Sequence, residues 1–290
     1  MHISVLKTEV LELLDPQSNE NFIDATTGEA GHSLEILNKI KPSGKVLGIE
    51  LDEKVCQKLE QKKIKNLIMV NSSFVNLKEI IQAKKFGPVS GILFDLGFLS
   101  WHVDESKKGF SFLKEEDLDM RFSTKTELTA IKIINFWNEE EILNILKEYG
   151  EEQFAKNIAR NIVKKRQESP IRTTTQLSEV IKSSVPGWYR HKKIHPATKT
   201  FQALRITVND ELESIKKVLP QALEILKPGG RIAIISFHSL EDRIVKRYFK
   251  EKAQENLLKI LTKKPLQASR EEIINNPRSR SAKLRAAIKI

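Results

Sequence analysis

The stretch from Asn21 to Ser33, NFIDATTGEAGHS, constrains the fold of this chain more than any other feature. Its apolar start predicts a short buried strand that ends in Asp24, and a helix is predicted to begin where the stretch ends. Between them, Gly28, Ala30 and Gly31 form a turn of small residues. Such a turn lets the backbone pass close to a ligand, which the N–H groups at the start of the helix would face. The stretch therefore predicts a binding turn at the end of a strand.

Three more apolar strands follow this turn, and helices separate them. The strands are predicted over 45–50, 66–70 and 90–97, with helices over 53–63 and 77–85 and an amphipathic helix over 3–14 before them. This alternation predicts a parallel, doubly wound α/β sheet that gathers ligands at the carboxyl ends of its strands. Asp24, Glu50 and Asp95 each end one strand. Glu50 ends the second strand, where a carboxylate can accept hydrogen bonds from a ribose diol.

The turn also limits which nucleoside-containing cofactor the sheet is expected to bind. Its GEAG sequence is not the GxGxxG of dinucleotide-binding proteins, and no GxxxxGK[ST] phosphate loop occurs in the chain. A compact turn with no pyrophosphate to hold favours S-adenosylmethionine. The Pro228-Gly229-Gly230 turn before a predicted strand at 231–236 is also frequent in methyltransferases that use this cofactor.

The alternation of strands and helices breaks off near residue 105 and resumes near residue 209. The segment between is predicted to be helical throughout 127–185, and then basic and irregular over 187–205. After it, the pattern predicts a helix over 209–226, the strand at 231–236, a helix to about residue 252 and a terminal edge strand over 281–290. We therefore predict a Rossmann-like sheet domain from residues 1–105 and 209–290, with an inserted all-helical domain over 106–208.

The formal net charge of +11 predicts a polyanionic partner, and nucleic acid fits it better than a membrane. The chain has no run of about 18 apolar residues and no secretory signal, so we expect a cytoplasmic protein with no membrane partner. Cys56 is the only cysteine, and His32, His195 and His238 lack the spacing of zinc ligands. No metal is therefore expected.

Basic residues cluster in the last part of the insert and in the tail. They are Arg166, Arg172, Arg190, Lys192, Lys193, Lys199, Arg205, Arg278, Arg280, Lys283 and Arg285. Trp188 and Tyr189 lie among them. Taken singly, each basic residue is explained by an ordinary solvated surface. Together with the aromatic rings, they are typical of a surface that follows a phosphate backbone and stacks on exposed bases.

Eight blocks spread over nearly the whole chain resemble one family. They are DATTGEAGHS, DLGFLS, KGFSF, LDMRF, YGEEQFAKNIARNIV, HPATKTFQALRITVNDEL, PGGRIAIISFHSLEDRIVKRYF and NPRSRSAKLR. The chain is thereby similar to the bacterial 16S ribosomal RNA cytosine-N4 methyltransferases. This resemblance implies a class I S-adenosylmethionine-dependent methyltransferase fold with a helical insert. It also implies methylation of a cytidine in the decoding region of the small ribosomal subunit.

The resemblance further implies that the cofactor is bound by Ala30, Gly31, His32, Glu50, Phe74, Asp95 and His102. The cytidine amine must be held in line with the methyl group and must lose a proton. We expect Asp95 to lie where the bound cofactor and the cytidine amine come together. Asp119 and His238 are candidates for orienting the base. The candidates for binding RNA are Arg190, Lys192, Lys193, Lys199, Arg205, Arg278 and Arg280.

Four residues depart from the family's pattern. Ala30 stands where glycine is usual, Glu50 where aspartate is usual, His102 where glutamine is usual and Lys108 where arginine is usual. The alternative function is therefore a non-catalytic rRNA-binding or ribosome-assembly factor that has kept the fold. A nucleotide-dependent oxidoreductase is poorly supported, because the dinucleotide fingerprint is missing. The sequence leaves open the exact target nucleotide, the choice between free RNA and an assembled subunit, and the oligomeric state, a homodimer included.

Overall fold

The computed structural model describes residues 4–97 and 106–290. The chain divides into two compact units, and one of them is built from two separate parts of the sequence. The first unit comprises Met1–Phe98 and Leu212–Ile290, and the second comprises Leu99–Glu211.

The described helices are distributed over both units. In chain order they are α1 (Lys7–Leu14), α2 (Gly31–Lys39), α3 (Glu53–Gln61), α4 (Leu77–Lys84), α5 (Ala130–Phe136), α6 (Glu139–Glu148), α7 (Ala155–Glu168), α8 (Thr174–Ser183), α9 (Gly187–Arg190), α10 (Thr198–Asn209), α11 (Glu211–Ile225), α12 (Ser239–Gln254) and α13 (Arg270–Asn275). Short 3₁₀ turns occur at Phe74–Asn76 and Pro277–Ser281. Within the described part of the chain, no helix combines the length and the apolar character needed to cross a membrane.

The described residues of the first unit form a seven-stranded sheet with the order β3-β2-β1-β4-β5-β7-β6. Its strands are β1 (Asn21–Asp24), β2 (Val46–Glu50), β3 (Leu67–Asn71), β4 (Val89–Asp95), β5 (Leu226–Ser236), β6 (Leu258–Ile260) and β7 (Lys283–Lys289). β1 to β5 are parallel, whereas β7 runs antiparallel to β5 and β6. The strand order reverses at β1, and such sheets bind ligands at that point. The predicted Rossmann-like, doubly wound α/β fold is confirmed.

Helices cover both faces of this sheet, because its central parallel strands carry apolar residues on both sides. Apolar residues of α1 and α2 pack with one face, where they join Phe22, Val46 and Leu93 of the strands. Apolar residues of α4, α11 and α12 pack with the other face, next to Ile23 and Phe94. Both clusters hold the strands in place, so that the residues at the strand ends have fixed positions.

The carboxyl-terminal part of the sheet differs from the sequence prediction in two ways. The prediction of an edge strand over 281–290 is wrong, because β7 lies between β5 and β6 and the short β6 forms the edge. The predicted turn at Pro228-Gly229-Gly230 lies inside β5, where the register against β4 shifts between Val89 and Gly91. Gly229 has a φ of +76° there, which glycine adopts at little cost. The turn residues thus form an irregularity within one long strand.

The second unit consists of α5 to α10 around an apolar core. The predicted helical character of 127–185 is confirmed, but the helices are interrupted, and capping boxes at Asn138 and Thr173 begin α6 and α8. The prediction of an irregular segment over 187–205 is wrong at its start, where α9 covers Gly187–Arg190, and again in its second half. There α10 begins at Thr198 and buries Phe201 and Leu204. Helical spacing of these apolar residues outweighs the basic character of the segment.

Candidate active site

Three carboxylates end parallel strands of the first unit, as the sequence predicts. Asp24 ends β1, Glu50 ends β2 and Asp95 ends β4, and β1 lies between the other two strands. Since parallel strands present their carboxyl ends at one edge of a sheet, the three side chains share that edge.

The turn between β1 and α2, residues 25–30, is tied to both neighbouring strands. The N–H of Ala25 donates to the Leu93 carbonyl of β4 at 2.9 Å, and the N–H of Thr27 donates to the Ile49 carbonyl of β2 at 3.0 Å. These bonds fix the turn above the middle of the carboxyl edge. A ligand bound at this edge therefore meets a backbone of fixed shape.

Two residues of this turn have left-handed backbone conformations. Gly28 has a φ of +55° and Ala30 a φ of +69°. Glycine adopts such angles freely, whereas alanine carries a strain of about 1 kcal/mol. Ala30 is nevertheless fully buried as the N-cap residue of α2. Gly31 follows it, and a Cβ atom there would collide with the Ser4 Oγ, so a larger residue at 31 would require the Ser4 side chain to move.

Glu50 is a buried carboxylate with two backbone donors. Its Oε2 accepts the N–H of Gly28 at 3.0 Å, and its Oε1 accepts the N–H of Asp52 at 2.8 Å. Burial raises the pKa of Glu50 to about 7, although both backbone hydrogen bonds act to lower it. Each carboxylate oxygen can accept a further hydrogen bond. Glu50 is therefore suited to hold hydroxyl groups of a ribose.

Asp24 has a structural partner that the sequence did not predict. Ser33, in the first turn of α2, donates its Oγ hydrogen to Asp24 Oδ2 at 2.6 Å, and the Thr26 N–H lies 3.3 Å from Oδ1. Only 1% of Asp24 is exposed. Its carboxylate therefore fastens α2 to β1 and is not presented to a ligand. The sequence predicts a helix that begins near Ser33, whereas α2 begins at Gly31, and a serine at this place gave no signal for the contact.

His32 and Asp95 lie together at the same edge. The His32 Nε2 is 3.6 Å from Asp95 Oδ2, with side-chain exposures of 8% and 18%. Burial alone would lower the pKa of His32, but the carboxylates of Asp95 and Asp24 outweigh it, and the pKa is raised. The Asp95 N–H also donates to Thr26 Oγ1 at 2.7 Å, which joins the end of β4 to the turn. A buried imidazole with a raised pKa thus faces a partly exposed carboxylate.

These residues fit a nucleoside-containing cofactor. The buried Nε2 of His32 has no hydrogen-bond partner among the described residues, so a polar ligand group can supply one. Glu50 retains acceptor capacity, and Phe74 offers a partly exposed ring after β3. That ring is held edge-on by Phe94, with ring centroids 5.9 Å apart. His102, the remaining predicted cofactor residue, lies outside the described residues.

His238 follows β5 and is the N-cap residue of α12. Its Nδ1 accepts the N–H of Glu241 at 3.4 Å, and its Nε2 lies 3.2 Å from Glu241 Oε1. The Oε2 of the buried Glu241 accepts the N–H groups of Phe237 and His238. His238 shares the carboxyl edge with Asp95, because β5 and β4 are parallel, but its contacts are those of a helix cap. Sequence reasoning missed Glu241, although its H-x-x-E spacing is that of a capping box.

Asp119 belongs to the second unit, in the block LDMRF. Its Oδ1 accepts the Arg121 backbone N–H at 2.9 Å and Nε at 2.8 Å, and its Oδ2 accepts Nη2 at 2.8 Å. Burial would raise the pKa of Asp119, but these bonds to Arg121 outweigh it and the pKa is lowered. Asn209, which the sequence did not single out, donates to the Met120 carbonyl and accepts the Phe122 N–H. The block is therefore a rigid segment with an ionised carboxylate.

The predicted RNA-binding residues fall into two groups. Lys199 Nζ donates to the Glu151 carbonyl at 2.6 Å, and Arg205 forms a bidentate pair with Glu211 at 2.8 and 2.9 Å. These two cations have partners within the second unit. The other five are exposed: Arg190, Lys192, Lys193, Arg278 and Arg280. Exposure thus favours the loop around residue 192 and the 3₁₀ turn near the end of the chain.

Comparison with known proteins identifies the family to which the sequence is similar. Residues 1–290 match the family described as the MraW methylase family. A ribosomal RNA small subunit methyltransferase H of Halothermothrix orenii is 45% identical and covers 100% of this chain and 98% of its own. The protein of the same name from Sulfurihydrogenibium azorense is 46% identical, over 99% of this chain and 98% of its own. A crystal structure of an rRNA methylase from Streptococcus thermophilus has 12% identity and a TM-score of 0.46, over 100% of this chain and 99% of that one.

Proposed function

Because the chain belongs to the MraW methylase family, it is a methyltransferase, and we propose that it methylates the N4 amine of a cytidine in the decoding region of 16S ribosomal RNA. S-adenosylmethionine is its methyl donor. The observation that carries this proposal is the placement of Glu50 and Asp95 on either side of a small-residue turn at one edge of the sheet. We propose that one carboxylate holds the ribose and that the other, which is partly exposed, meets the substrate amine.

The cofactor residues that we propose are Ala30, Gly31, His32, Glu50, Phe74, Asp95 and His102. Glu50 accepts hydrogen bonds from ribose hydroxyls, because its backbone donors leave acceptor capacity on both oxygens. Phe74 presents an apolar ring surface that suits a base. The bound cofactor supplies an electrophilic methyl group.

Asp95 is proposed to hold the cytidine amine. The nitrogen lone pair is delocalised into the ring, so the amine must be held in a fixed orientation before it can accept a methyl group. A carboxylate that accepts one amine hydrogen provides that orientation and favours loss of the proton. The imidazole of His32, whose Nε2 lies 3.6 Å from Asp95 Oδ2, is proposed to hold the carboxylate in position for this role. Asp119 and His238 are proposed to orient the base, Asp119 as an acceptor that Arg121 keeps ionised.

Calorimetry with S-adenosylmethionine tests the cofactor site. We expect the wild-type protein to bind, Glu50→Gln to bind more weakly, and Asp95→Asn to retain most of the affinity but to lose methyl transfer. Glu29→Gln is the matched control, because Glu29 is an exposed carboxylate of the same turn. If the wild-type protein fails to bind while Ala30→Gly binds, the proposal that this chain is an active enzyme is wrong.

A second candidate function is a non-catalytic rRNA-binding or assembly factor. Ala30 supports it, since this residue has a φ of +69° in the binding turn, at a position where the family has glycine. Mass spectrometry of 16S ribosomal RNA from a deletion strain separates the two functions. Loss of one N4-methylcytidine supports the enzyme, and an unchanged modification pattern supports the assembly factor.

The proposed substrate also bears on the second unit and on the location of the protein. We propose that the helical insert, predicted over 106–208, holds the RNA, and that the protein acts in the cytoplasm on the small ribosomal subunit. A target base in a folded RNA must be unstacked, which costs a few kcal/mol unless the strand is already open. Contacts to the flanking nucleotides can offset that cost. The exposed basic residues of the insert support this role.

A further inference from the structure

The segment between Tyr189 and His195 is anchored at both ends within the second unit. Tyr189 is buried, and its hydroxyl group donates to Oε2 of the buried Glu152 at 2.8 Å. At the other end, the ring of His195 stacks on Phe112 with centroids 4.4 Å apart and an angle of 9°. The His195 Nδ1 also accepts the N–H of Ala197 at 3.2 Å. These contacts fix the path of the residues between the two anchors.

Between the anchors, five successive side chains are exposed: Arg190, His191, Lys192, Lys193 and Ile194. We call these residues the basic loop. The sequence contains no aspartate or glutamate from Val180 to Asn209, so the basic residues of the loop have no acidic neighbour within this stretch of the chain. The Arg190 Nε donates to the Val185 carbonyl at 3.1 Å, which holds its guanidinium group at the base of the loop. The loop is therefore a concentrated positive surface.

An open indole ring lies beside the basic loop. Trp188 is 58% exposed. Its ring packs at 62° to Phe154 and at 86° to Tyr189, with centroids 5.9 and 5.8 Å away. Lys192 Nζ lies 4.8 Å from the Trp188 centroid, within the range of a cation–π interaction. The indole thus has a fixed orientation while more than half of its surface stays in water.

We propose that Trp188 stacks on an unpaired base of the RNA while Lys193 and Arg190 of the basic loop contact the flanking phosphates. That the ligand is RNA rests on the proposed function. The inference adds the residues that bind the RNA strand. An oriented, exposed aromatic ring within a cluster of cations is the arrangement by which proteins hold single-stranded nucleic acid. An acidic protein surface would also suit the charge, but it would leave the indole without a matching planar partner.

The two kinds of contact predict separable effects on RNA binding. Stacking on a base is a contact without counterion release, so it contributes affinity and leaves the salt dependence unchanged. A phosphate contact releases counterions, and each one adds about 0.7 to the slope of log affinity against log salt for a single strand. A variant at Trp188 should therefore lower the affinity for RNA without changing the salt slope, whereas a variant at Lys193 should lower the salt slope.

Fluorescence anisotropy of a labelled single-stranded RNA, titrated without S-adenosylmethionine over a series of salt concentrations, tests this site. Trp188→Ala should weaken binding on the order of 10-fold with an unchanged salt slope, and Trp188→Phe should retain most of the affinity. Lys193→Ala should lower the salt slope by about 0.7. Phe136→Ala is the matched control, because Phe136 is an 81% exposed aromatic residue of the same unit that precedes three glutamates, and it should bind as the wild type does.

An RNA with abasic positions completes the test. The wild-type protein should bind it as weakly as Trp188→Ala binds the normal RNA, and Trp188→Ala should show no further loss. The inference is overturned if Trp188→Ala binds normal RNA like the wild type, if Phe136→Ala loses as much affinity, or if poly-glutamate competes while the abasic RNA binds normally. Circular dichroism melting curves must show that Trp188→Phe is folded. Because no methyl donor is present, a failure of methyl transfer leaves this result unaffected.

Discussion

Ser33 Oγ donates a 2.6 Å hydrogen bond to Asp24 Oδ2, and both side chains are buried. The bond joins the first turn of α2 to the end of β1, across the turn that carries the candidate cofactor residues. Burial raises the pKa of Asp24, while the bond from Ser33 acts to lower it. This buried pair therefore contributes to the shape of the binding turn, together with the backbone bonds that tie the turn to β2 and β4.

Removing the donor of this pair should destabilise the protein. In Ser33→Ala, a buried carboxylate loses its shortest hydrogen bond, so we expect the free energy of unfolding to fall by about 2 kcal/mol. Urea denaturation measures this change. The control is Ser43→Ala, since Ser43 also donates to a side chain, Asn19 Oδ1, but is exposed. A loss in Ser33→Ala that is no larger than in Ser43→Ala contradicts the role given to the buried bond.

The buried Glu50 should make stability depend on pH. Its pKa is raised from 4.5 to about 7 by burial, so the folded protein keeps this proton to a higher pH than the unfolded chain does. The contribution of Glu50 is therefore fully present below about pH 4.5 and is lost as the pH rises through about 7. Its slope is at most about 1.4 kcal/mol per pH unit.

Glu50→Gln should remove this contribution, and urea denaturation at several pH values between 5 and 7 would show it. The wild-type free energy of unfolding should decline more steeply with pH than that of the variant. Glu29→Gln, at the exposed position of the same turn, should keep the wild-type slope. Equal slopes in wild type and Glu50→Gln would mean that Glu50 ionises normally.

Glycine at position 30 should be tolerated. The left-handed conformation of Ala30 stores about 1 kcal/mol of strain, and the loss of its buried methyl group removes a stabilisation of similar size. We therefore expect Ala30→Gly to change the free energy of unfolding by less than about 1 kcal/mol and to tighten the binding of S-adenosylmethionine. Ala25→Gly, at a buried residue of the same turn without a positive φ, should be destabilised by about 1 to 2 kcal/mol. Weaker cofactor binding by Ala30→Gly would show that the methyl group does not obstruct the site.

Arg205 should stabilise the fold and should make no contact with RNA. Its guanidinium group makes two hydrogen bonds to Glu211, and the two side chains are only 14% and 11% exposed. Arg205→Ala leaves a nearly buried carboxylate without this partner, so we expect a loss of about 3 kcal/mol in the free energy of unfolding. The salt slope of RNA binding should stay at the wild-type value, in contrast to Lys193→Ala. A reduced slope in a folded Arg205→Ala protein would place Arg205 on a phosphate.

The parallel part of the sheet could be predicted from the sequence because its signals are local. Short apolar runs with an acid at the end mark β1, β2 and β4, and the helices between them show regular spacing. The place of β7 could not be predicted, because strand order depends on pairing between distant segments. The three-residue β6 is also too short to give a pattern.

The candidate site was predictable in its position and less so in its contacts. The edge that carries Glu50 and Asp95 follows from the strand pattern, since parallel strands share it. Charge alone cannot distinguish a solvated lysine from Lys199, which donates a hydrogen bond to the Glu151 carbonyl. That partner lies 48 positions away in the chain, so no local pattern reveals it. The buried cap between Glu241 and His238 differs, because its H-x-x-E spacing is local and could have been predicted from the sequence.

The measurement that tests the account most directly is methyl transfer in vitro. Small ribosomal subunits and free 16S ribosomal RNA from a deletion strain are incubated with S-adenosylmethionine and either wild-type protein or Asp95→Asn, and the digested nucleosides are analysed by mass spectrometry. We predict that the wild-type protein forms one N4-methylcytidine in at least one of the two substrates, and that Asp95→Asn binds the cofactor but forms none. A wild-type protein that binds S-adenosylmethionine and methylates neither substrate, or an Asp95→Asn protein that methylates at the wild-type rate, would contradict the account.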